Sequence, residues 1–274
     1  DSLDISPVIA QILLNRNIRS IDEAQQYLHP PNIGSPLGLP DEIMVLACNI
    51  LSTAITSGKP VFLFGDYDVD GMTSIAIMTA FLKSFNVTVV PYIPHRFSEG
   101  YGLNMAAMDH VIYSESCLFI SLDCGISNVK EIEYLKEKAP DTKVMILDHH
   151  TIPDIVPAAD VILNPKALDP KHPCYLLCTA GLVYKFLEYY CQNNKVDYDI
   201  TLLIDLVALG TVADIVPLIG ENRVLTKHGL NQLSQRRNKG LKQLLSVSKC
   251  DRPMLTAHDI GFVIAPRLNA AGRL

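Results

Sequence analysis

Between residues 59 and 163 the chain repeats one pattern: a short, uniformly apolar run, then a stretch with helical periodicity. The apolar runs are Val61-Phe62-Leu63-Phe64, residues 87–93, Leu118-Phe119-Ile120-Ser121-Leu122, residues 144–147 and Val161-Ile162-Leu163. Helical patterns at 72–84, 104–113 and 128–138 separate the first four of them. A strand that is apolar on both sides needs cover on both faces. Successive strand–helix–strand units provide it as a parallel sheet with right-handed crossovers. The expected fold is therefore α/β, a doubly wound, mostly parallel five-stranded sheet.

Helices are expected on both flanks. Ser6-Pro7 before an apolar-periodic stretch to Leu14, the Ser20/Glu23 capping-box pair, and an amphipathic run from Asp41 to Ser57 predict three helices in an N-terminal segment, residues 1–58. The Pro- and Gly-rich residues 29–40 read as a loop or docking strap between them. Helical patterns at 180–192, 200–213, 225–236, 241–247 and 258–264 follow the sheet, which divides the chain into a catalytic domain at 59–218 and a helical connector at 219–274. The apolar run at 202–220 contains Asp205, Asp214 and Pro217. Each central Asp would cost about 2.5–3.5 kcal/mol in a bilayer, so the run reads as a buried helix ending at a polar site and no membrane partner is expected. The start of the chain has no basic stretch followed by an apolar one. Its seven cysteines are odd in number and lack C-x-x-C pairs, which fits reduced thiols and a cytoplasmic protein. Cys174 and Cys178 stand four apart but have no second Cys/His pair to complete a zinc site.

The acidic and imidazole residues fall at the carboxyl ends of the predicted strands, the edge at which open α/β sheets bind ligands. The first strand runs into Gly65-Asp66-Tyr67-Asp68-Val69-Asp70-Gly71, the third into Asp123-Cys124-Gly125 and the fourth into Asp148-His149-His150. One Asp at a helix start is an ordinary cap. Three at alternating positions concentrate more negative charge than a cap requires, and divalent cations would offset it. Asp68 and Asp70 are thus expected to bind metal, with Asp66 either a ligand or a partner behind the ligands. An EF-hand is excluded because Ile77 occupies the position of its final Glu. Asp123 alone could be a turn former, and a lone strand-end His is usually structural; together with Asp148-His149-His150 they offer carboxylate and imidazole ligands, a mixture that suits Mn²⁺ better than Ca²⁺. Asp214 interrupts an almost wholly apolar helix and needs a cation or a donor. These groups suffice for two divalent metal ions sharing a carboxylate, an arrangement that generates hydroxide and clamps an in-line phosphoryl displacement.

The basic residues near this edge point to phosphate. Arg96 lies in the Gly-containing loop after the second strand, and Arg267, Asn269 and Arg273 lie in Pro266-Arg267-Leu268-Asn269-Ala270-Ala271-Gly272-Arg273. Arginine binds phosphate bidentately, and the small residues permit close backbone approach. With 23 Lys and Arg against 29 Asp and Glu and no Trp, there is no global positive field and no extended stacking surface, so any nucleic-acid contact must be local.

The segments GDYDVDG, IPHR-x-x-EGYGL, SLDCG, LDHH, LNP, GTVADIVPL and PRLNAAGR, in that order from Gly65 to Arg273, resemble the DHH phosphoesterase superfamily and within it the single-strand-specific 5′→3′ exonucleases. The resemblance covers nearly the whole chain. It implies that Asp68, Asp70, Asp123, His149 and Asp214 bind the metal pair, Mn²⁺ preferred and Mg²⁺ possible, with Asp123 bridging. Asp66 matches the first Asp of the family's initial motif, and Asp148 and His150 would be catalytic, His150 at the scissile phosphate. Arg96, Arg267, Asn269 and Arg273 would position single-stranded DNA. Full-length relatives carry a second nuclease domain and an OB-fold domain, so a chain stopping at Leu274 is expected to hold the metal centre and part of the substrate path. Two alternatives remain: a phosphatase, pyrophosphatase or short-oligonucleotide nuclease of the same superfamily, and a non-catalytic replication scaffold with the same fold.

Overall fold

The computed structural model describes residues 3–31 and 34–271. Five strands, β1 (Val61–Gly65), β2 (Val89–Tyr92), β3 (Leu118–Leu122), β4 (Lys143–Leu147) and β5 (Val161–Leu163), form one sheet in the order β2-β1-β3-β4-β5. Every neighbouring pair is parallel, so the expected mostly parallel sheet is wholly so. The side chains alternate across it with period two. Val61 and Leu63 of β1, with Leu118, Ile120, Met145 and Leu147, pack under α3 (Asp41–Thr56), α4 (Val69–Ser84) and α7 (Thr179–Asn193). Phe62 and Phe64, with Phe119, Val144 and Ile146, pack under α5 (Met105–Tyr113) and α6 (Val129–Lys138). The sheet is thus covered on both faces, as its uniformly apolar strands require. The chain leaves β1 to one side for β2 and returns to the other for β3, so the crevice between the carboxyl ends of β1 and β3 is the topological switch point.

The N-terminal helices are α1 (Pro7–Asn15) and α2 (Ile21–Leu28), capped by Ser6 and by the Ser20/Glu23 box as the sequence indicates. Beyond the sheet, α7, a 3-10 turn at Ile200–Leu203 and α8 (Ile204–Ala213) lead to α9 (Gly220–Ser234) and α10 (Lys239–Val247). Helix α9 begins five residues before the expected start. Its first turn is polar yet buried: Asn222 Nδ2 donates to the carbonyls of Leu176 and Pro217, and Glu221 accepts from Ser35 N–H and pairs with Lys185. Hydrophobic periodicity cannot mark such a turn. Farther along α9, Arg223 and Lys227 donate to the carbonyls of Tyr27 and Pro30, docking the end of α2 and the start of the strap through backbone contacts. The last predicted helix is a short α11 (Ala257–Asp259), a π-helical turn (Ile260–Ile264) and then α12 (Ala265–Ala271), which the sequence pattern did not indicate. Helices α8 to α10 and the π turn share a third apolar cluster around Ala208, Leu209, Leu233, Leu245, Ile260 and Ile264. No helix among the described residues is long and apolar enough to cross a membrane.

Candidate metal centre

The chain leaves β1 at Gly65, and α4 begins at Val69, three residues earlier than the periodicity suggested, so the acidic run straddles a strand end and a helix start. Asp68 is the N-cap, its Oδ1 accepting from Gly71 N–H at 3.0 Å, and Asp70 lies in the first turn. Glycine is required at 71: a Cβ there would stand 2.4 Å from the backbone oxygen of Asp66. Asp123 ends β3 in the left-handed region at φ 66°, a conformation Asp tolerates better than bulkier residues. His149 and His150 follow β4, and Asp214 caps the C-terminus of α8.

These segments converge. His149 Nε2 lies 3.3 Å from Asp123 Oδ1, 3.5 Å from Asp214 Oδ2 and 3.9 Å from Asp70 Oδ2. Three sets of potential ligand atoms lie within 4.8 Å of one another: Asp66, Asp68 and Asp123; Asp70, His149 and Asp214; and Asp123, His149 and His150. Asp123 and His149 are each common to two sets, which is the arrangement two neighbouring cations sharing a carboxylate would need. The donor set is carboxylate oxygen with imidazole nitrogen, which suits Mn²⁺ or Mg²⁺. Asp66 Oδ1 and His149 Nε2 are buried without a hydrogen-bond partner, and an unpaired buried polar atom is costly unless a cation or a donor meets it. The residues present therefore fit divalent ions. The three sets contain no cysteine, and all seven cysteines are free thiols, six of them buried, so the Cys174/Cys178 spacing serves packing.

Electrostatics divides the acids. Burial raises Asp66 to about 6, and burial with Asp70 and Asp68 nearby raises Asp214 to about 7. Burial with Asp70 and Asp68 beside it also holds Asp123 well above the usual carboxylate range. Burial pushes His149 down, favouring the neutral imidazole that can lend a lone pair. Asp148 behaves differently. Its burial is outweighed by donors, with His150 Nδ1 at 2.7 Å and His150 N–H at 3.0 Å on Oδ1 and Ile126 N–H at 3.0 Å on Oδ2, and its pKa is lowered. That bond in turn raises His150. Asp148 thus orients His150 and raises its proton affinity rather than facing the cluster.

Of the expected phosphate contacts, Arg96 is at the rim: its guanidinium stacks 4.8 Å from the Tyr67 ring centroid, and its charge reaches Asp66. Asn269 lines a 680 Å³ apolar cavity with Val212, Ala213 and Ile215, beside Asp214. Arg267 is exposed and donates to the Val263 carbonyl of its own helical segment. Arg273 lies outside the described residues. The sequence reading did not single out Tyr101, whose hydroxyl lies 3.4 Å from His150 Nε2, or Asn164, which donates to the His150 carbonyl at 3.0 Å. It also missed Thr179, which bonds two of the acids. All three pair across long sequence separations; only the Asn of LNP and the Tyr of EGYGL stood inside motifs that could have drawn attention.

Comparison with known proteins agrees with this architecture. The sequence model of the DHH family, N-terminal domain, matches residues 60–211. The chain is 32% identical over 283 residues to the single-stranded-DNA-specific exonuclease RecJ of Escherichia coli, covering 99% of this chain and 48% of that protein. It is 34% identical over 274 residues to RecJ of Bacillus subtilis, covering 100% of this chain and 34% of that one. A crystal structure of Thermus thermophilus RecJ in complex with Mn²⁺ superposes with a TM-score of 0.81 at 31% identity, over 99% of this chain and 38% of the other. The chain thus spans about half, or less, of the length of the curated relatives it matches.

Proposed function

The chain belongs to the DHH family, and on that premise we propose that it is the metal-dependent catalytic core of a 5′→3′ exonuclease acting on single-stranded DNA, with residues 59–218 as its catalytic domain. The observation that carries this reading is the convergence of four acidic or imidazole segments on one crevice, where His149 Nε2, grouped with Asp70 and Asp214, lies 3.3 Å from Asp123, which is grouped with Asp66 and Asp68. Similarity to RecJ proteins across almost the entire chain supports the choice of substrate.

Asp66, Asp68, Asp70, Asp123, His149 and Asp214 are the residues that would hold two divalent ions, Mn²⁺ preferred and Mg²⁺ possible. Ions bound there supply an acidified water as nucleophile and charge stabilisation at the phosphorus. The protein's own groups do the rest. His150, held through Nδ1 by Asp148, which raises its proton affinity, would donate from Nε2 to an oxygen of the scissile phosphate, where a preorganised donor stabilises the developing negative charge. Arg96, held flat by Tyr67, presents its guanidinium to a backbone phosphate and positions the strand without reading its sequence. Arg267 and Asn269 would extend the strand path along the α12 side, and Arg273, outside the described residues, is a further phosphate contact implied by the sequence motif alone.

The test is hydrolysis of single-stranded DNA labelled at one end, of short oligonucleotides and of pyrophosphate, in Mn²⁺ and after chelation. Metal-dependent shortening of the DNA from its 5′ end is expected. Turnover of pyrophosphate or short oligonucleotides alone would transfer the site to the small-phosphate branch of the family, and no hydrolysis together with no bound metal would identify a scaffold.

A further inference from the structure

Helix α7 lacks a cap of its own: its N-cap residue, Cys178, makes no side-chain capping bond. The cap comes from elsewhere. Asp70, 109 residues earlier and in the first turn of α4, accepts from Thr179 N–H through Oδ2 at 2.7 Å. Its Oδ1 accepts from Ala180 N–H at 2.9 Å. Both oxygens of one carboxylate are thus gripped by the first turn of a 15-residue helix, where orphan N–H groups and the helix dipole favour negative charge. The same turn reaches a second acid. Thr179 Oγ1 donates to Asp123 Oδ1 at 2.9 Å. Asp70 follows β1 and Asp123 follows β3, so one fully buried residue ties the two sides of the switch point together.

This geometry matters for carboxylates that repel. Among the described residues Thr179 is the donor to the Asp123 carboxylate; His149 Nε2, 3.3 Å from the same Oδ1, makes no hydrogen bond to it. A hydroxyl on one lone pair of that oxygen fixes the rotation of the carboxylate and turns its remaining lone pairs toward the cluster. Partners behind a metal ligand of this kind typically change metal affinity by about 10- to 100-fold when removed.

We propose that Thr179 is a positioning residue of the metal centre, its hydroxyl aiming Asp123 while its backbone N–H holds Asp70, so that the first turn of α7 sets the spacing of the two carboxylates before any cation arrives. The inference rests on the metal-binding reading given above. Thr179 is fully buried behind two acids and acts through them.

The experiment is Mn²⁺ titration of the intact protein, with free Mn²⁺ read by electron paramagnetic resonance, for wild type, Thr179→Ser, Thr179→Val and Thr179→Ala. Melting of the metal-free proteins is followed alongside. Thr179→Ser keeps the hydroxyl and is expected to bind within about twofold of wild type. Thr179→Val and Thr179→Ala lose it and are expected to bind about tenfold or more weakly. Thr179→Ala adds no bulk, so it tests the idea even where the valine variant does not fold. Wild-type affinity in the alanine variant, or equal losses in the serine and alanine variants, would overturn the positioning role and leave only packing. Asp123→Asn is the control: if wild type binds no Mn²⁺, or Asp123→Asn binds it as wild type does, the metal-binding reading itself fails, and Thr179 falls with it.

Discussion

Gly210 on α8 is where a single methyl group tests the construction of the site. A Cβ at this position would stand 2.7 Å from Asp70 Oδ1, from Thr73 Oγ1 and from Ala180 Cβ at once. None of the three can swing aside freely. Asp70 Oδ1 is bound to Ala180 N–H, the Thr73 hydroxyl is bound to the Val69 carbonyl at 2.8 Å, and Ala180 Cβ moves only with α7. Carbon contacts settle at about 3.5–4.0 Å, so Gly210→Ala must part the α4–α7–α8 junction by roughly 0.8 Å or more. Two terms compete. Alanine in place of glycine within a helix gains about 1 kcal/mol, whereas overpacking a core costs about 1–3 kcal/mol. The net loss expected is about 0–2 kcal/mol. For 274 residues, an unfolding entropy near 0.6 kcal/mol/K translates that into a melting temperature lower by no more than about 4 °C. The larger effect falls on Asp70, since metal ligands tolerate only about 0.2 Å of misplacement, and Mn²⁺ affinity is expected to drop by about tenfold or more. Thermal melting of the metal-free protein and Mn²⁺ titration measure the two terms separately. A variant that melts higher by the full helix-propensity gain and binds Mn²⁺ as wild type does would show that the junction has slack, and the argument from close approach would be refuted.

Three further outcomes follow from the same geometry. Asp123→Ala is expected to depress turnover and metal stoichiometry more than alanine at Asp66 or Asp214, because Asp123 sits with Asp66 and Asp68 and also 3.3 Å from His149 of the neighbouring set; equal losses measured by metal analysis and hydrolysis would deny it a shared position. Arg96→Ala is expected to weaken single-stranded DNA use, read as a raised KM, with Mn²⁺ content unchanged, and an unaltered KM would leave Arg96 only its stacking on Tyr67. The metal-free protein is expected to lose stability as pH rises. Asp214 moves from its ordinary 3.8 to about 7, so its contribution is complete below about 3.8 and forfeited as pH climbs through 7, at most about 4 kcal/mol for a carboxyl still partly wetted. Asp214→Asn should shrink the difference in melting temperature between pH 5 and pH 8 measured in chelator; an unchanged difference would assign it to other groups.

The sheet was legible because its strands are apolar on both faces, and β3 and β5 begin and end where the sequence places them. The clustering of acids at strand ends was legible for a related reason: in a parallel sheet every carboxyl end faces the same edge. Strand order was not, since nothing in local periodicity states that the chain crosses β1 to reach β3. Helix starts failed where polar residues are buried. Glu221 and Asn222 look like loop residues until Lys185, Ser35 and the carbonyls of Leu176 and Pro217 are placed against them. Thr179 failed for the same reason on a larger scale, because its partners lie 56 and 109 residues away. The assignment of Asp148 shifted as well: adjacency to two histidines suggested chemistry, and its bonds give it the task of holding His150.

That shift generalises within this molecule. Asp66, Asp123 and Asp148 are all at most 3% exposed, all at the same sheet edge, and burial alone would raise all three. They part company over donors. Asp148 receives three N–H bonds and is lowered, so the fold itself pays for its charge and no cation is called for. Asp66 keeps an oxygen with no partner and rises to about 6, and Asp123, buried with one hydroxyl against neighbouring Asp70 and Asp68, is also held well above the usual carboxylate range. Positive charge from outside the polypeptide would favour their ionised forms. His149, pushed toward the neutral imidazole with its Nε2 amid three carboxylates, adds little positive charge, and Arg96 and His150 offset only part of the burial at Asp66. A sheet edge this short of donors gains from bound cations, so cation binding and folding stability are linked at this site: each ion bound at neutral pH should raise the melting temperature, and more steeply at pH 8 than at pH 5.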